Sequence, residues 1–200
     1  MLRVGLTGGL ASGKSFIGHA LADLGCFLIQ ADELGHRVMA RGAEAYAAIV
    51  EHFGPEILTG DAEIDRRALG AIVFAQPDQL AKLNAIVHPA VRARQRALEA
   101  EFAAREPSGI VVIEAAIIVE TGSYRDFERL IVASCTREQQ IERAMNRSHL
   151  SREEAENRLS RQMPLEQKVK YADYVIDTSG TKEHTLEQTR KIYASLRSLP

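Results

Sequence analysis

Several residue types that define protein classes are scarce in this 200-residue chain. It has two cysteines, Cys26 and Cys135, and their wide separation indicates neither a disulfide framework nor a cysteine zinc site. Both lie beside apolar runs, so we expect buried free thiols. Lys and Arg number 25 against 27 Asp and Glu, and this balance gives no sign of nucleic-acid binding.

Long apolar runs are also missing. No run approaches the roughly 20 residues that a membrane-spanning helix needs. The sequence does not open with a charged and then apolar leader, which is the pattern of a secretory signal. From these absences we expect a cytoplasmic protein that does not bind membranes.

Short apolar runs alternate with helical patterns, which predicts an α/β fold. Five runs, at 2–6, 26–29, 109–113, 130–133 and 174–176, are expected to form a doubly wound parallel sheet of about five strands. Between the second and third runs the pattern is helical, with helices predicted at 32–40, 43–53, 65–74, 77–87 and 89–105. Pro77 and Pro89 suit the first turns of their helices. Two charged helices are predicted at 137–147 and 151–163, the second starting with the capping-box residues Ser151 and Glu154.

A phosphate-binding motif follows the first strand. Residues 6–15 read LTGGLASGKS and match G-x-x-x-x-G-K-[ST] through Gly8, Gly13, Lys14 and Ser15. Glycines let such a loop turn its N–H groups toward phosphate, and the next helix points its positive end at the anion. Lys14 is predicted to bridge the outer phosphates and the Ser15 hydroxyl to ligate Mg²⁺. The residues predicted to bind nucleotide are Gly8, Gly9, Ala11, Ser12, Gly13, Lys14, Ser15 and Phe16.

Asp32 closes the second apolar run in the sequence Gln30-Ala31-Asp32. Because parallel strands end at the same edge of a sheet, Asp32 is expected to face the phosphate loop. A carboxylate there can accept the proton of an attacking hydroxyl in phosphoryl transfer. The alternative is that Asp32 caps the next helix. Residues 32–35 also match the D-x-x-G pattern of GTPases, but the sequence lacks an N-K-x-D guanine motif.

Arg143 and Arg147 lie one helical turn apart and share a helix face. Such a pair suits a lid that closes over a triphosphate, because charge on a transferring phosphoryl group needs cations. The alternative is a solvated face on which these arginines pair with Glu138 and Glu142. The spacing of the two arginines alone fits both a lid and a solvated helix face.

The chain resembles the dephospho-CoA kinase family over nearly its whole length. Besides LTGGLASGKS, the matching segments are ADELGHRV (31–38), DRRAL (65–69), VF (73–74), LNAIVHP (83–89), IIVETG (117–122), RQMPLEQK (161–168) and ADYVIDTSG (172–180). Their order and spacing carry the resemblance. It implies transfer of the terminal phosphate of ATP to the 3′-hydroxyl of dephospho-CoA, with Mg²⁺ as cofactor. In that reaction Asp32 is the expected base, and Lys14, Arg143 and Arg147 are the expected catalytic cations.

The resemblance also divides the chain into three functional parts. Residues 1–30, 106–136 and 164–200 are expected to form the nucleotide-binding core, 31–105 the helical insertion for the acceptor, and 137–163 the lid. Acceptor contacts are expected from Asp32, Arg66, His88 and Pro89, although His88 before a proline also suits a helix start. We expect a monomer or weak homo-oligomer. The other functions considered are a kinase for a nucleoside or another small alcohol, and a nucleotide-gated switch.

Several polar residues follow the later strands. Glu114 ends the third strand, where proteins with this phosphate loop often keep an acidic residue near magnesium. Glu120 is expected to be structural. The resemblance implies adenine contacts from the backbone of residues 177–180, so we expect little from those side chains, including Thr178, where relatives often have Asn.

Overall fold

The computed structural model describes residues 1–199, which separate into two compact units. The first unit contains residues 1–30 and 102–199, and the second contains residues 31–101. The helices are α1 (Lys14–Asp23), α2 (Ala31–Arg37), α3 (Tyr46–Phe53), α4 (Arg66–Ala75), α5 (Pro77–Arg105), α6 (Arg137–Ser148), α7 (Arg152–Ser160), α8 (Leu165–Lys168) and α9 (Lys182–Arg197).

A five-stranded sheet forms the centre of the first unit. Its strands are β1 (Leu2–Gly8), β2 (Phe27–Gln30), β3 (Ile110–Glu114), β4 (Arg129–Ser134) and β5 (Tyr174–Asp177). They lie in the order β2-β3-β1-β4-β5, and every neighbouring pair is parallel. Because side chains of a strand alternate between faces, a sheet covered on both sides needs nearly continuous apolar runs. The predicted α/β fold with about five parallel strands is confirmed.

Both faces of the sheet are covered. On one face, Leu6 and Ile131 pack with Ile17 of α1 and Leu196 of α9. On the other, Leu130 and Val132 pack against side chains from the segments that follow β3 and α7, among them Ile118, Val119 and Met163. Alternation along β4 therefore sends successive residues into two separate cores.

Capping boxes start both α6 and α7. The Ser151 hydroxyl accepts from the Glu154 N–H, and the Glu154 carboxylate accepts from the Ser151 N–H at 2.7 Å, as predicted. That hydrogen bond from the Ser151 backbone lowers the pKa of the Glu154 carboxyl. Helix α7 ends at Ser160, before the predicted residue 163, because Pro164 disfavours helical geometry at the residue preceding it.

The second unit has an apolar core of its own. Val38, Ile49, Phe53, Leu69 and Val73 are buried together. Helix α4 begins where the Asp65 carboxylate accepts from the Arg67 and Ala68 N–H groups. Helix α2 ends at Arg37 and α3 starts at Tyr46, so both are shorter than the sequence pattern predicted. A 3₁₀ turn at Pro55–Ile57 follows α3.

The prediction of separate helices at 77–87 and 89–105 is wrong. Helix α5 runs without interruption from Pro77 to Arg105 and contains Pro89. A proline inside a helix removes one backbone hydrogen bond and crowds the preceding turn, at a cost of about 3 kcal/mol. Apolar residues before and after Pro89 pack against the core of the second unit, and their burial outweighs that cost: Leu80, Leu83, Ile86, Val87, Ala90 and Val91.

Both cysteines are free and buried, as expected from the sequence. Burial raises the pKa of the Cys26 thiol to about 12, and burial also raises the pKa of the Cys135 thiol. Neither thiol is therefore a nucleophile at neutral pH. Within residues 1–199, no helix combines the length and the apolar character needed to cross a membrane.

Candidate active site

The phosphate loop connects β1 to the first turn of α1. Gly13 caps α1 with a φ of 92°, in the left-handed region that favours glycine. A Cβ at this position would also lie 3.1 Å from Thr178 Cγ2. Lys14 follows directly, and its Nζ donates to the Gly9 carbonyl at 3.0 Å. The loop thus places one lysine and a helix N-terminus at the same point, as an anion site requires.

Ser15 and Glu114 form an oxygen-rich site beside the loop. The Ser15 hydroxyl donates to Glu114 Oε1 at 2.7 Å, and Gln30 Nε2 donates to Glu114 Oε2 at 2.9 Å. Glu114 is buried. A hydroxyl and a carboxylate are the hard ligands that Mg²⁺ accepts. Within residues 1–199, no cluster of three or more His, Cys, Asp or Glu residues that could hold a metal is present.

One pocket of about 640 Å³ opens over the phosphate loop, a volume typical of a small-molecule site. It is lined by Ala11, Ser12, Gly13, Lys14, Ser15, Phe16, Arg143, Asn146, Arg147, Thr178, Gly180, Lys182 and Thr185. The structure therefore brings eight of the predicted site residues to one cavity. Gly8 and Gly9, which begin the loop, are buried.

Arg143 contacts the end of β5. Its Nη2 donates to the Thr178 carbonyl at 2.6 Å and its Nη1 to the Thr178 hydroxyl at 3.2 Å. Glu138 instead binds Arg152 through two hydrogen bonds of 2.7 and 2.8 Å, which lower the pKa of the Glu138 carboxyl. Arg147 is exposed and makes no ion pair with any residue in 1–199. Within residues 1–199, neither arginine forms an ion pair with Glu138 or Glu142, which was the alternative considered from the sequence.

Thr178 is a functional candidate that the sequence did not reveal. Its side chain is buried, and its hydroxyl donates to the Ser12 carbonyl at 2.8 Å while accepting from Arg143. It thereby joins the phosphate loop to α6. No motif or periodicity in the sequence indicates these contacts.

Lys168 is a second residue that the sequence did not single out. Its side chain is fully buried, and its Nζ lies 2.7 Å from Glu120 Oε1 and donates to the Ala116 carbonyl at 2.6 Å. Glu120 Oε1 also accepts from the Met163 N–H at 3.1 Å. These contacts attach the segment after α7 to the segment after β3. Glu120 therefore makes contacts of the kind expected for a structural residue.

Glu120→Ala is expected to lower the free energy of unfolding by about 3 kcal/mol, because it leaves the fully buried Lys168 ammonium without the charge of its partly exposed partner. Lys168→Met should cost less, because it removes the buried cation and keeps most of the side-chain volume. Urea denaturation of the two variants tests this. Equal losses, or a larger loss for Lys168→Met, would contradict the assignment.

The remaining predicted residues belong to the second unit. Asp32 is exposed and lies in the first turn of α2, which starts at Ala31, so it is inside the helix and not at its cap. Arg66 is exposed and is the first residue of α4. His88 and Pro89 are exposed within α5. The alternative for His88, a helix start, does not hold.

Comparison with known proteins gives consistent matches. The model of the dephospho-CoA kinase family matches residues 2–184. A dephospho-CoA kinase from Geobacter metallireducens is 44% identical over 188 residues, which make up 94% of this chain and 93% of that protein. A solved Thermus thermophilus structure has a TM-score of 0.82 at 32% identity, covering 97% of this chain and 96% of that one. The dephospho-CoA kinase from Campylobacter jejuni has a TM-score of 0.72 at 28% identity, covering 98% and 96%.

Proposed function

This chain belongs to the dephospho-CoA kinase family, and on that premise we propose that it transfers the terminal phosphate of ATP to the 3′-hydroxyl of dephospho-CoA. The family catalyses the last step of coenzyme A biosynthesis. The observation that carries the proposal is the pocket in which the phosphate loop meets Arg143 and Arg147, in a chain that matches the family from residue 2 to residue 184.

ATP is proposed to bind with its phosphates on the loop. Backbone N–H groups of the loop, Lys14 and the positive end of α1 would hold the triphosphate. Ser15 and Glu114 would hold Mg²⁺, directly or through water, and the bound ion would neutralise charge on the phosphate oxygens. Arg143 and Arg147 would stabilise the negative charge on the transferring phosphoryl group.

Asp32 is proposed to act as the general base. Its carboxylate would take the proton of the 3′-hydroxyl as that oxygen forms a bond to the terminal phosphorus and the bond to the ADP oxygen breaks. We propose further acceptor contacts from Arg66, His88 and Pro89 in residues 31–105. Residues 137–163 would serve as the lid.

We also propose the substrates, the compartment and the oligomeric state of the enzyme. ATP and dephospho-CoA are the proposed partners, with no role for nucleic acid or membranes. We propose a cytoplasmic enzyme, since its substrate ATP is produced and used there. A monomer or weak homo-oligomer would suffice, because the nucleotide pocket is lined by residues of a single chain.

Purified protein with ATP, Mg²⁺ and dephospho-CoA is expected to release ADP and coenzyme A in equal amounts. Adenosine and pantetheine serve as control acceptors, since each carries only part of dephospho-CoA, and both should be poor substrates. Turnover with adenosine but not dephospho-CoA would favour a nucleoside kinase instead. Slow ATP hydrolysis that no acceptor accelerates would indicate a nucleotide-gated switch.

A further inference from the structure

Two glutamine side chains bind the backbone of one residue of the phosphate loop, one at its N–H and the other at its carbonyl. Gln162 Oε1 accepts from the Leu10 N–H at 2.8 Å, and Gln140 Nε2 donates to the Leu10 carbonyl at 2.7 Å. The backbone partners fix which amide atom faces each, because a carbonyl oxygen only accepts and an N–H only donates. We call Gln140 and Gln162 the glutamine pair.

The Leu10 side chain is held as well. It packs, with Ala11, against the buried Ile141 and Ala144 of α6 and Ala155 of α7. Gln140 is itself buried, and it approaches Gly9 so closely that a Cβ there would overlap its Nε2. A side chain at position 9 would therefore displace the Gln140 amide from its present place. The backbone and side chain of Leu10 are both fixed by residues that lie between 140 and 162.

The residue after Leu10 has an unfavourable backbone conformation. Ala11 has a φ of 51°, in the left-handed region that residues with a Cβ seldom adopt. Such a conformation persists only where surrounding contacts hold it. Ala11 is flanked by the two hydrogen bonds at Leu10 and by those at Ser12, whose N–H donates to the Gly9 carbonyl at 3.3 Å and whose carbonyl accepts from the Thr178 hydroxyl at 2.8 Å. Ala11 lines the nucleotide pocket, so its conformation sets the shape of the loop that receives phosphate.

We propose that Gln140 and Gln162 are positioning residues for ATP. They hold Ala11 in its left-handed conformation, which preorganises the loop before nucleotide arrives. Neither is among the described residues that line the nucleotide pocket, so both act through Leu10. The role in ATP binding rests on the proposed function, whereas the effect on the loop is measurable without any acceptor.

The same substitution, glutamine to glutamate, can be made where the amide accepts a hydrogen bond (Gln162) and where it donates one (Gln140). Gln162→Glu keeps an acceptor for the Leu10 N–H, whereas Gln140→Glu replaces the donor with a carboxylate facing the Leu10 carbonyl. Both add the same negative charge near the loop. Gln140→Glu is expected to weaken ATP binding roughly 30-fold or more, and Gln162→Glu by less than about 5-fold. Gln167→Glu, on the exposed side of α8, is the control for charge and should leave binding unchanged.

A rescue experiment covers the case in which Gln140→Glu fails to fold. Gln162→Met removes the acceptor at similar length and should weaken ATP binding about 10-fold. Adding Ala11→Gly should recover most of that loss, because glycine adopts left-handed angles without penalty. Calorimetric titration with ATP and Mg²⁺, without acceptor, gives the dissociation constants. Equal effects of Gln140→Glu and Gln162→Glu in folded proteins, or no recovery by Ala11→Gly, would overturn the proposal.

Discussion

Asp32→Asn is expected to lower kcat by about 10³-fold, within the range attributed to a lost general base. Asparagine keeps the shape of the side chain but cannot take the proton of the acceptor hydroxyl. Affinity for ATP should stay within about twofold, because the proposed role concerns the acceptor and not the phosphate loop. Steady-state kinetics with both substrates varied, together with ATP titration, separates the two effects.

Glu33→Gln is the matched control for this substitution. Glu33 is the next residue of α2, is exposed, and pairs with Arg37 at 3.2 Å. An exposed pair of this kind contributes little to stability, so the variant should retain activity within about twofold. An Asp32→Asn enzyme as active as Glu33→Gln would remove Asp32 from the mechanism while leaving the family assignment intact.

Lys14→Met is expected to lower kcat/KM by roughly 10³-fold, because it removes the one cation that the loop itself is proposed to place against the phosphates. Lys14 Nζ lies against the Gly9 carbonyl, within the loop that would hold the phosphates. Unlike Asp32→Asn, this variant should also weaken ATP binding. Initial rates over a range of ATP concentrations provide the measurement.

Lys191→Met controls for the loss of a lysine. Lys191 is exposed on α9 and pairs with Glu187 at 2.7 Å. Its replacement should leave kcat/KM and the melting temperature nearly unchanged, since exposed pairs of this type contribute little. Lys14→Met enzyme with normal ATP affinity and normal turnover would exclude the proposed phosphate contact.

The sequence predicted those features that depend on neighbouring residues. Apolar runs marked the strands, the glycine-rich motif marked the loop between β1 and α1, and Ser151 with Glu154 marked the start of α7. Each of these signals lies within about ten residues of the feature it predicts. Local hydrogen-bonding and burial patterns determine such features, and a single sequence contains them.

Contacts between distant residues were not predictable in the same way. Gln140 and Leu10 are 130 residues apart, and Thr178 and Ser12 are 166 apart. No periodicity or motif relates such positions, and their side chains look like ordinary polar residues until the sheet brings them together. The continuous α5 was not predicted for a related reason. Burial of the apolar residues on both sides of Pro89 stabilises the helix by more than the proline destabilises it.

The strand order has a consequence for synthesis on the ribosome. The first two strands, β1 and β2, are not neighbours, and each pairs with β3. A nascent chain therefore has no strand pair available until Ile110–Glu114 has been made, about a hundred residues after β1. The apolar core of residues 31–101 is complete by then. Cotranslational folding can thus begin with the helical unit, while β1 and β2 remain without their strand partner until β3 has been made.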